Sequence, residues 1–126
     1  MRKTGTILFA AIFCVISAAN AQFSNTKWKG VINSNGELPV VWTFKKTSVD
    51  VISLPDSALV ESMTYKIASG FLFITKVNGT SNCDNSTVGK YSYKIKKDSL
   101  FLKPIDDACT QRSDAISDKA LIKLKK

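Results

Sequence analysis

An alternation of apolar and polar residues runs through most of the chain and restricts its fold more than any other feature. In "KYSYKIKK", Tyr91, Tyr93 and Ile95 fall on one side, while Ser92 and the lysines fall on the other. A period of two indicates a β-strand with one face in the core, because successive side chains of a strand point to opposite faces. Eight segments are predicted to be short strands: 26–33, 39–46, 47–53, 59–67, 71–77, 90–97, 100–105 and 119–126.

The spacing of these segments predicts the fold class. Strands begin about every ten residues, and the "NG" at 35–36 and the "KKDS" at 96–99 supply tight reversals. Such spacing is typical of an all-β barrel or sandwich, and hairpin connections favour an up-and-down order. We predict an all-β, eight-stranded antiparallel up-and-down β-barrel, with Ala120, Ile122 and Leu124 of the last strand facing inward.

The first 21 residues have the three parts of a secretory signal peptide. Arg2 and Lys3 precede an apolar run over residues 7–16, and small Ala19 and Ala21 follow it. Cleavage is predicted after Ala21, which leaves residues 22–126 as one secreted or periplasmic barrel domain. No later segment reaches the roughly 20 apolar residues that a membrane-spanning helix needs, so we expect a soluble monomer.

The positive charge of the chain has two interpretations. Of its 18 basic residues, Arg2 and Lys3 leave with the signal, so 16 remain against 10 acidic residues, a net charge of about +6. Such a charge attracts acidic partners. However, the lysines are scattered over alternate strand positions, as on the water-exposed face of a sheet. We favour plain solubility over a dedicated polyanion site.

Two cysteines, Cys83 and Cys109, remain after removal of the signal, and an even count in an oxidising compartment predicts a disulfide. In the chain-entropy model such a bond stabilises the fold by roughly 3 kcal/mol. A zinc site is disfavoured because the chain has no histidine and each cysteine stands alone. A catalytic thiol also lacks its usual histidine base. We therefore predict no metal and no cofactor.

Enzymatic and nucleic-acid functions find little support in the sequence. The adjacent carboxylates Asp106 and Asp107 are the main candidates for acid-base chemistry, and no phosphate-binding glycine loop or nucleophile elbow is present. Tyr91 and Tyr93 have lysine neighbours, but the tyrosines and lysines fall on opposite faces of one strand, which disfavours base stacking beside phosphate contacts. We predict a protein that is not an enzyme and does not bind nucleic acid.

Four stretches together resemble the small secreted lipocalin-like (calycin-like) β-barrel proteins of bacteria: "TKWKG", "YKIASGFLFIT", "GKYSYKIKKDSLFL" and "DACTQR". The resemblance implies an eight-stranded antiparallel barrel, sometimes with a pocket for a small apolar molecule. In lipocalins a Gly-x-Trp in the first strand packs under an arginine from near the last strand and closes one end. Trp28 and Arg112 match these roles, although Thr26 occupies the glycine position. A surface ion pair of Arg112 with Asp106 or Asp107 is the alternative.

The barrel suggests a binding protein for a small hydrophobic ligand, held among inward side chains. The candidate ligand-binding residues are Trp42, Phe44, Glu61, Met63, Tyr65, Phe73, Tyr91 and Tyr93, and Phe71 is grouped with them. The alternative is that the aromatic residues simply make the core. Glu61 carries more information, because a buried carboxylate without a partner is costly. It either reaches Tyr91, Tyr93 or a ligand, or it faces water after a shift of strand register.

A second hypothesis is an interaction or inhibitor protein without enzymatic activity. In that case loops such as residues 78–89, displayed on a rigid barrel, bind an acidic partner.

Overall fold

The computed structural model describes residues 21–116 and 119–125, and its fold confirms the predicted class. Eight antiparallel strands follow chain order around a closed barrel, which the pairing of the first strand with the last completes. The strands are β1 (Thr26–Asn33), β2 (Glu37–Phe44), β3 (Ser48–Ser53), β4 (Leu59–Ala68), β5 (Phe71–Gly79), β6 (Val88–Lys96), β7 (Ser99–Asp106) and β8 (Leu121–Lys123). Within the described residues, one helix, α1 (Thr110–Ala115), lies between β7 and β8.

The sequence predicted a cleaved signal peptide and no membrane-spanning helix after it. Within the described ranges, no helix combines the length and apolarity needed to cross a membrane. The predicted signal peptide, apart from Ala21, lies outside the described residues, so it stays a prediction.

The up-and-down order gives the barrel two different ends. The open end, as we call it, carries the β1–β2, β3–β4 and β5–β6 connections and the segment 107–116 with α1. The closed end carries the chain entry before β1 and the short β2–β3, β4–β5 and β6–β7 turns. At the β1–β2 turn, Asn35 and Gly36 have φ values of 52° and 108°, which confirms the predicted Asn-Gly hairpin.

The closed end is filled by the side chain of Phe23, which precedes β1 and is fully buried. Its ring centroid lies 5.1 Å from that of Phe44 and 5.2 Å from that of Tyr93, with Tyr65 at 6.2 Å. These are the distances of favourable tilted and edge-to-face aromatic pairs. The hydroxyl and amide of Thr26 both donate to the Phe23 carbonyl and fix the chain as it enters the barrel.

The prediction that Phe73 faces the interior is wrong, and so is the grouping of Phe71 with it. Leu72 and Ile74 of β5 are fully buried, so Phe71 and Phe73 lie on the outer face. Every residue from Phe71 to Ile74 is apolar, so the pattern carries no polar face to fix the side. Outside, the Lys90 ammonium nitrogen lies 4.2 Å from the centroid of the Phe71 ring and shields it from water.

The inward face predicted for the last strand is also wrong. Leu121 is buried in β8, whereas Ile122 and Leu124 are exposed. Gly30 of β1 explains this register, because a Cβ atom at that position would collide with the Leu121 side chain. A glycine opposite β8 therefore leaves the volume that Leu121 occupies.

Candidate functional site

A cavity of about 260 Å³ lies at the open end of the barrel. The barrel contributes its floor and walls through Ile32 of β1, Trp42 of β2, Val51 of β3, and Glu61 and Met63 of β4. All five side chains are buried, as expected for inward strand positions. The cavity thus lies at the opposite end of the barrel from Phe23 and its aromatic neighbours.

The cover of the cavity comes from residues far apart in sequence. Thr80 and Ser81 contribute from the β5–β6 loop, and Gln111, Arg112 and other residues contribute from α1 and its C-terminal end. Both segments therefore place side chains around the cavity, and these side chains form part of the surface that a bound molecule would contact.

The predicted disulfide is confirmed, and it holds this cover together. Cys83 and Cys109 are bonded, with their Cα atoms 5.5 Å apart. The bond links the β5–β6 loop to the residue immediately before α1. The backbone amide of Asn82 also donates to Gln111 Oε1 at 2.7 Å, so the loop and helix are joined twice.

The predicted ligand-binding residues divide among four places. Trp42, Glu61 and Met63 line the cavity. Phe44, Tyr65 and Tyr93 pack with Phe23 at the closed end, where they fill the core. Tyr91 is buried beside the segment that leads into α1, and Phe73 lies outside the barrel. A role in ligand binding stays a prediction for the three that line the cavity.

The predicted packing of Arg112 against Trp28 is wrong. The cation over the Trp28 ring is Lys123 of β8, with its nitrogen 5.9 Å from the ring centroid, and the indole nitrogen donates to Thr26 Oγ1 at 2.9 Å. Trp28 therefore belongs to the half of β1 nearer the closed end, whereas Arg112 lies on α1 at the open end. Trp28 and Arg112 are the residue types that the resemblance requires, but the topology of the barrel keeps the two side chains apart.

Arg112 instead forms a buried ion pair with Asp107, so the alternative prediction named the right partner but the wrong place. Arg112 Nε lies 2.7 Å from Asp107 Oδ2, and Nη2 lies 2.8 Å from Oδ1. The Asp107 side chain is fully buried and that of Arg112 is 4% exposed. Tyr91 donates to the same carboxylate at 2.5 Å, and Cys109 donates its amide at 2.9 Å. The Asp107 carboxylate thus accepts four hydrogen bonds, which is about the number that its two oxygens can accept.

The electrostatics of this cluster favour its charged form. Burial raises the pKa of Asp107, but hydrogen bonds from Arg112, Tyr91 and the Cys109 amide outweigh it and leave the pKa below its ordinary value. Burial lowers the pKa of Arg112, and the Asp107 carboxylate more than reverses this effect. The pKa of Tyr91 is strongly raised, first by burial and then by Asp107. Tyr91 therefore serves as a neutral donor.

Glycine at position 89 makes room for the cluster. A Cβ atom there would lie 2.5 Å from Asp107 Oδ2 and 2.9 Å from a ring carbon of Tyr91. No sequence pattern pointed to this role, because Gly89 directly precedes the predicted strand at 90–97 and there resembles an ordinary loop residue.

Glu61 is buried, as the strand alternation predicted, but its partner is a residue that the sequence did not indicate. Its carboxylate accepts hydrogen bonds from the hydroxyl and the amide of Ser81, the latter at 3.4 Å. Gly79 permits this approach: its φ is 140°, and a Cβ atom there would collide with the Glu61 carboxylate. Gly79 at the end of β5 and Ser81 two residues later are the signal that was available and missed.

Two buried donors in the cavity wall have no partner among the described residues. They are Trp42 Nε1 and Arg112 Nη1. The side-on ion pair uses Nε and Nη2 of Arg112, and Nη2 also donates to the Thr87 carbonyl at 3.0 Å, so Nη1 remains. Buried polar atoms in folded proteins nearly always have a partner. Both residues line the cavity, but the two atoms themselves are inaccessible to a water-sized molecule inside it.

Comparisons with protein-family models, with curated proteins and with solved structures found no match to this chain. The closed eight-stranded antiparallel barrel is consistent with a lipocalin-like fold and is able to hold a ligand.

Proposed function

We propose that this protein is an exported, lipocalin-like binding protein that holds one small molecule in the cavity at the open end of its barrel. The observation that carries the proposal is the difference between the two ends. Aromatic packing around Phe23 fills one end, whereas the other keeps about 260 Å³ of space under a cover joined to the barrel wall. A barrel built only for stability has no reason to leave such a space at one end, since close packing is the rule for protein cores.

The size of the cavity favours a small ligand. Its volume falls just below the roughly 300 to 1,000 Å³ of most ligand pockets. A compact molecule with one ring fits this space better than an extended lipid chain. The ligand is also not purely hydrophobic in this proposal, because Glu61 and Arg112 contribute polar groups to the wall.

Export and the lack of enzymatic activity are part of the same proposal. The Cys83–Cys109 bond supports an oxidising compartment. Among the described residues that line the cavity, Arg112 is paired with Asp107 and Glu61 accepts from Ser81, and this use of both side chains supports a function without general acid-base catalysis. The absence of a metal or cofactor stays a prediction.

The test is native mass spectrometry of the protein purified from its own host, compared with the same sample after denaturation. We expect a species that exceeds the mass of the mature chain by one small molecule and loses that excess on denaturation. The mature chain alone, in gently handled samples from several growth conditions, would speak against the proposal.

A second candidate function rests on a separate observation, a set of phenylalanines and lysines on the outside of the barrel. We call it the outer β4–β7 face; its members are Lys66, Phe71, Phe73, Lys90, Ser92, Lys94, Phe101 and Lys103. Cross-strand pairing aligns them, with Lys66 opposite Phe73, Phe73 opposite Lys90, and Lys94 opposite Phe101. This face, rather than the loop at 78–89, supports binding to an acidic polymer or protein, because residues 78–89 contain no lysine or arginine.

Retention on immobilised polyglutamate tests this second function. Replacing Lys94 and Lys103 by glutamine should release the protein at a lower salt concentration than wild type. Replacing Lys27 and Lys29 of β1 by glutamine is the matched control, because it removes the same charge from exposed positions elsewhere. Equal losses for both double variants would mean that net charge alone explains retention, and the second function would be rejected.

A further inference from the structure

The charge of the cavity wall differs in sign from the charge of the whole chain. The sequence has a formal net charge of +8, yet no lysine is among the described residues that line the cavity. The basic residue in that lining is Arg112, which donates to the two Asp107 oxygens at 2.7 and 2.8 Å. The charge of its guanidinium is thus compensated within the protein. The excess positive charge of the chain is therefore not directed into the cavity.

Glu61 places a negative charge without a counter-charge in the cavity wall. The residue is 7% exposed, and its carboxylate accepts hydrogen bonds from the hydroxyl and amide of Ser81, which are uncharged. Within the described part of the chain, no lysine or arginine forms an ion pair with it. Lys76 donates to the Ser81 carbonyl at 2.6 Å and does not line the cavity. Because a carboxylate removed from water is costly without a counter-charge, a cation in the cavity would lower this cost.

The attraction between Glu61 and a bound cation does not depend on direct contact. Charges interact through space, and they do so more strongly in a partly desolvated site than in water. Glu61 and its partner Ser81 both line the cavity, so an occupant lies close to the carboxylate. Asp114, which is exposed, adds a second carboxyl group to the lining. An anion would meet the same two groups and be repelled.

The rest of the barrel wall around the cavity is mainly apolar. Ile32, Val51 and Met63 contribute it, so an occupant with a hydrocarbon body matches this wall better than a bare ion does. The positive exterior of the protein repels a cation only at long range, because salt at 0.1 M screens exposed charges beyond about 10 Å. Buried Glu61 is screened less and therefore determines the sign of the preferred ligand.

From these observations we propose that the cavity binds a small organic ammonium ion, a molecule with an apolar body and one protonated amine, with Glu61 as its counter-charge. The inference rests on the proposed function, since it requires that the cavity be a binding site. Primary amines with one aromatic ring represent this class in its simplest form.

Four probes with the same ring separate the possible recognition modes: benzylamine, benzamide, toluene and benzoate. Dissociation constants are measured at neutral pH by NMR titration of the isotope-labelled mature protein. Benzylamine, which is cationic at this pH, should bind at least about tenfold more tightly than benzamide and toluene. Benzoate should bind most weakly, because it adds a negative charge beside Glu61.

Two variants that each remove one negative charge separate Glu61 from net charge. Glu61→Gln keeps the side-chain size, and it should weaken benzylamine binding about tenfold and leave toluene binding unchanged. Asp106→Asn is the matched control, because Asp106 is exposed and does not line the cavity. It should leave benzylamine affinity unchanged. Circular dichroism checks that each variant is folded; if Glu61→Gln is not, the order of the four probes on the wild type decides alone.

The outcomes distinguish this inference from the proposed function. Equal affinities for benzylamine, benzamide and toluene would overturn the ligand class and leave a neutral pocket. Tightest binding of benzoate would overturn it as well, and so would equal losses of benzylamine affinity in the two variants. If no probe shifts the signals of cavity residues at millimolar concentration, while the protein is folded, both the inference and the proposed binding site are rejected.

Discussion

Replacement of Asp107 by asparagine tests the assignment of the ion pair that holds the cavity cover. Asparagine keeps the shape of the side chain but removes its charge and presents an NH₂ group in place of one acceptor. The Asp107 carboxylate receives two hydrogen bonds from Arg112, one from Tyr91 and one from the Cys109 amide. The substitution leaves the Arg112 guanidinium, which is 4% exposed, without a counter-charge.

The magnitude follows from the burial of both partners. Removing one member of a buried ion pair costs about 3–5 kcal/mol, because the remaining charge stays desolvated. We expect a loss of this size in the free energy of unfolding, measured by urea titration followed by tryptophan fluorescence. Asp106→Asn is the matched control: it is the preceding residue, it is exposed, and it should change stability by less than about 0.5 kcal/mol. Similar values for both variants would refute the assignment.

The same pair predicts how stability depends on pH. The pKa of Asp107 is lowered in the folded protein, so its contribution is fully present above the unfolded value of about 3.9 and is lost as pH falls through the folded value. The stability difference between wild type and Asp107→Asn should therefore be constant near neutral pH and shrink below about pH 4. A difference that stays unchanged down to pH 2 would contradict this origin.

Three further predictions concern stability and are measured in the same way. Gly79→Ala should lower the free energy of unfolding by at least about 2 kcal/mol, because its Cβ atom would also lie 2.6 Å from a backbone oxygen. Gly36→Ala, at a positive φ but in open space, should lower it by about 1 kcal/mol. Equal losses would mean that crowding at Gly79 is unimportant. Reduction of the disulfide, which closes a separation of 26 residues, should remove roughly 3 kcal/mol, and no change would show that the bond adds nothing. Phe23→Ala should cost about 3–5 kcal/mol and the exposed Phe101→Ala under about 1 kcal/mol, an order that fails if the chain entry is not packed in the barrel.

Strand faces were predictable from the sequence where polar and apolar residues truly alternate. In β2, Trp42 and Phe44 are buried, as predicted, and so is Val40 on the same face. In β5 both faces begin apolar, and in β8 the residues on either side of Leu121 are no more polar than it is. The pattern cannot fix a face there, and neighbours on other strands decide the register.

The cavity was less predictable than the barrel because its cover forms between distant segments. Trp42, Glu61 and Met63 were identified from strand alternation, which is local. Ser81 and Arg112 join them from the β5–β6 loop and α1, two segments that the disulfide links. The residue type of Arg112 suggested two roles, packing on Trp28 or pairing with an aspartate, and the choice depended on which end of the barrel its helix covers. Such choices depend on loop closure and not on periodicity.

The most direct test of a barrel that is filled at one end and hollow at the other uses its two tryptophans. The indole N–H of Trp28 donates to Thr26, whereas Trp42 lines the cavity and its buried indole N–H has no partner among the described residues. Each gives its own NMR signal. Saturation with a small one-ring probe such as benzamide should shift the Trp42 indole signal and leave the Trp28 signal in place. Two unmoved signals, or equal shifts of both, would contradict the account.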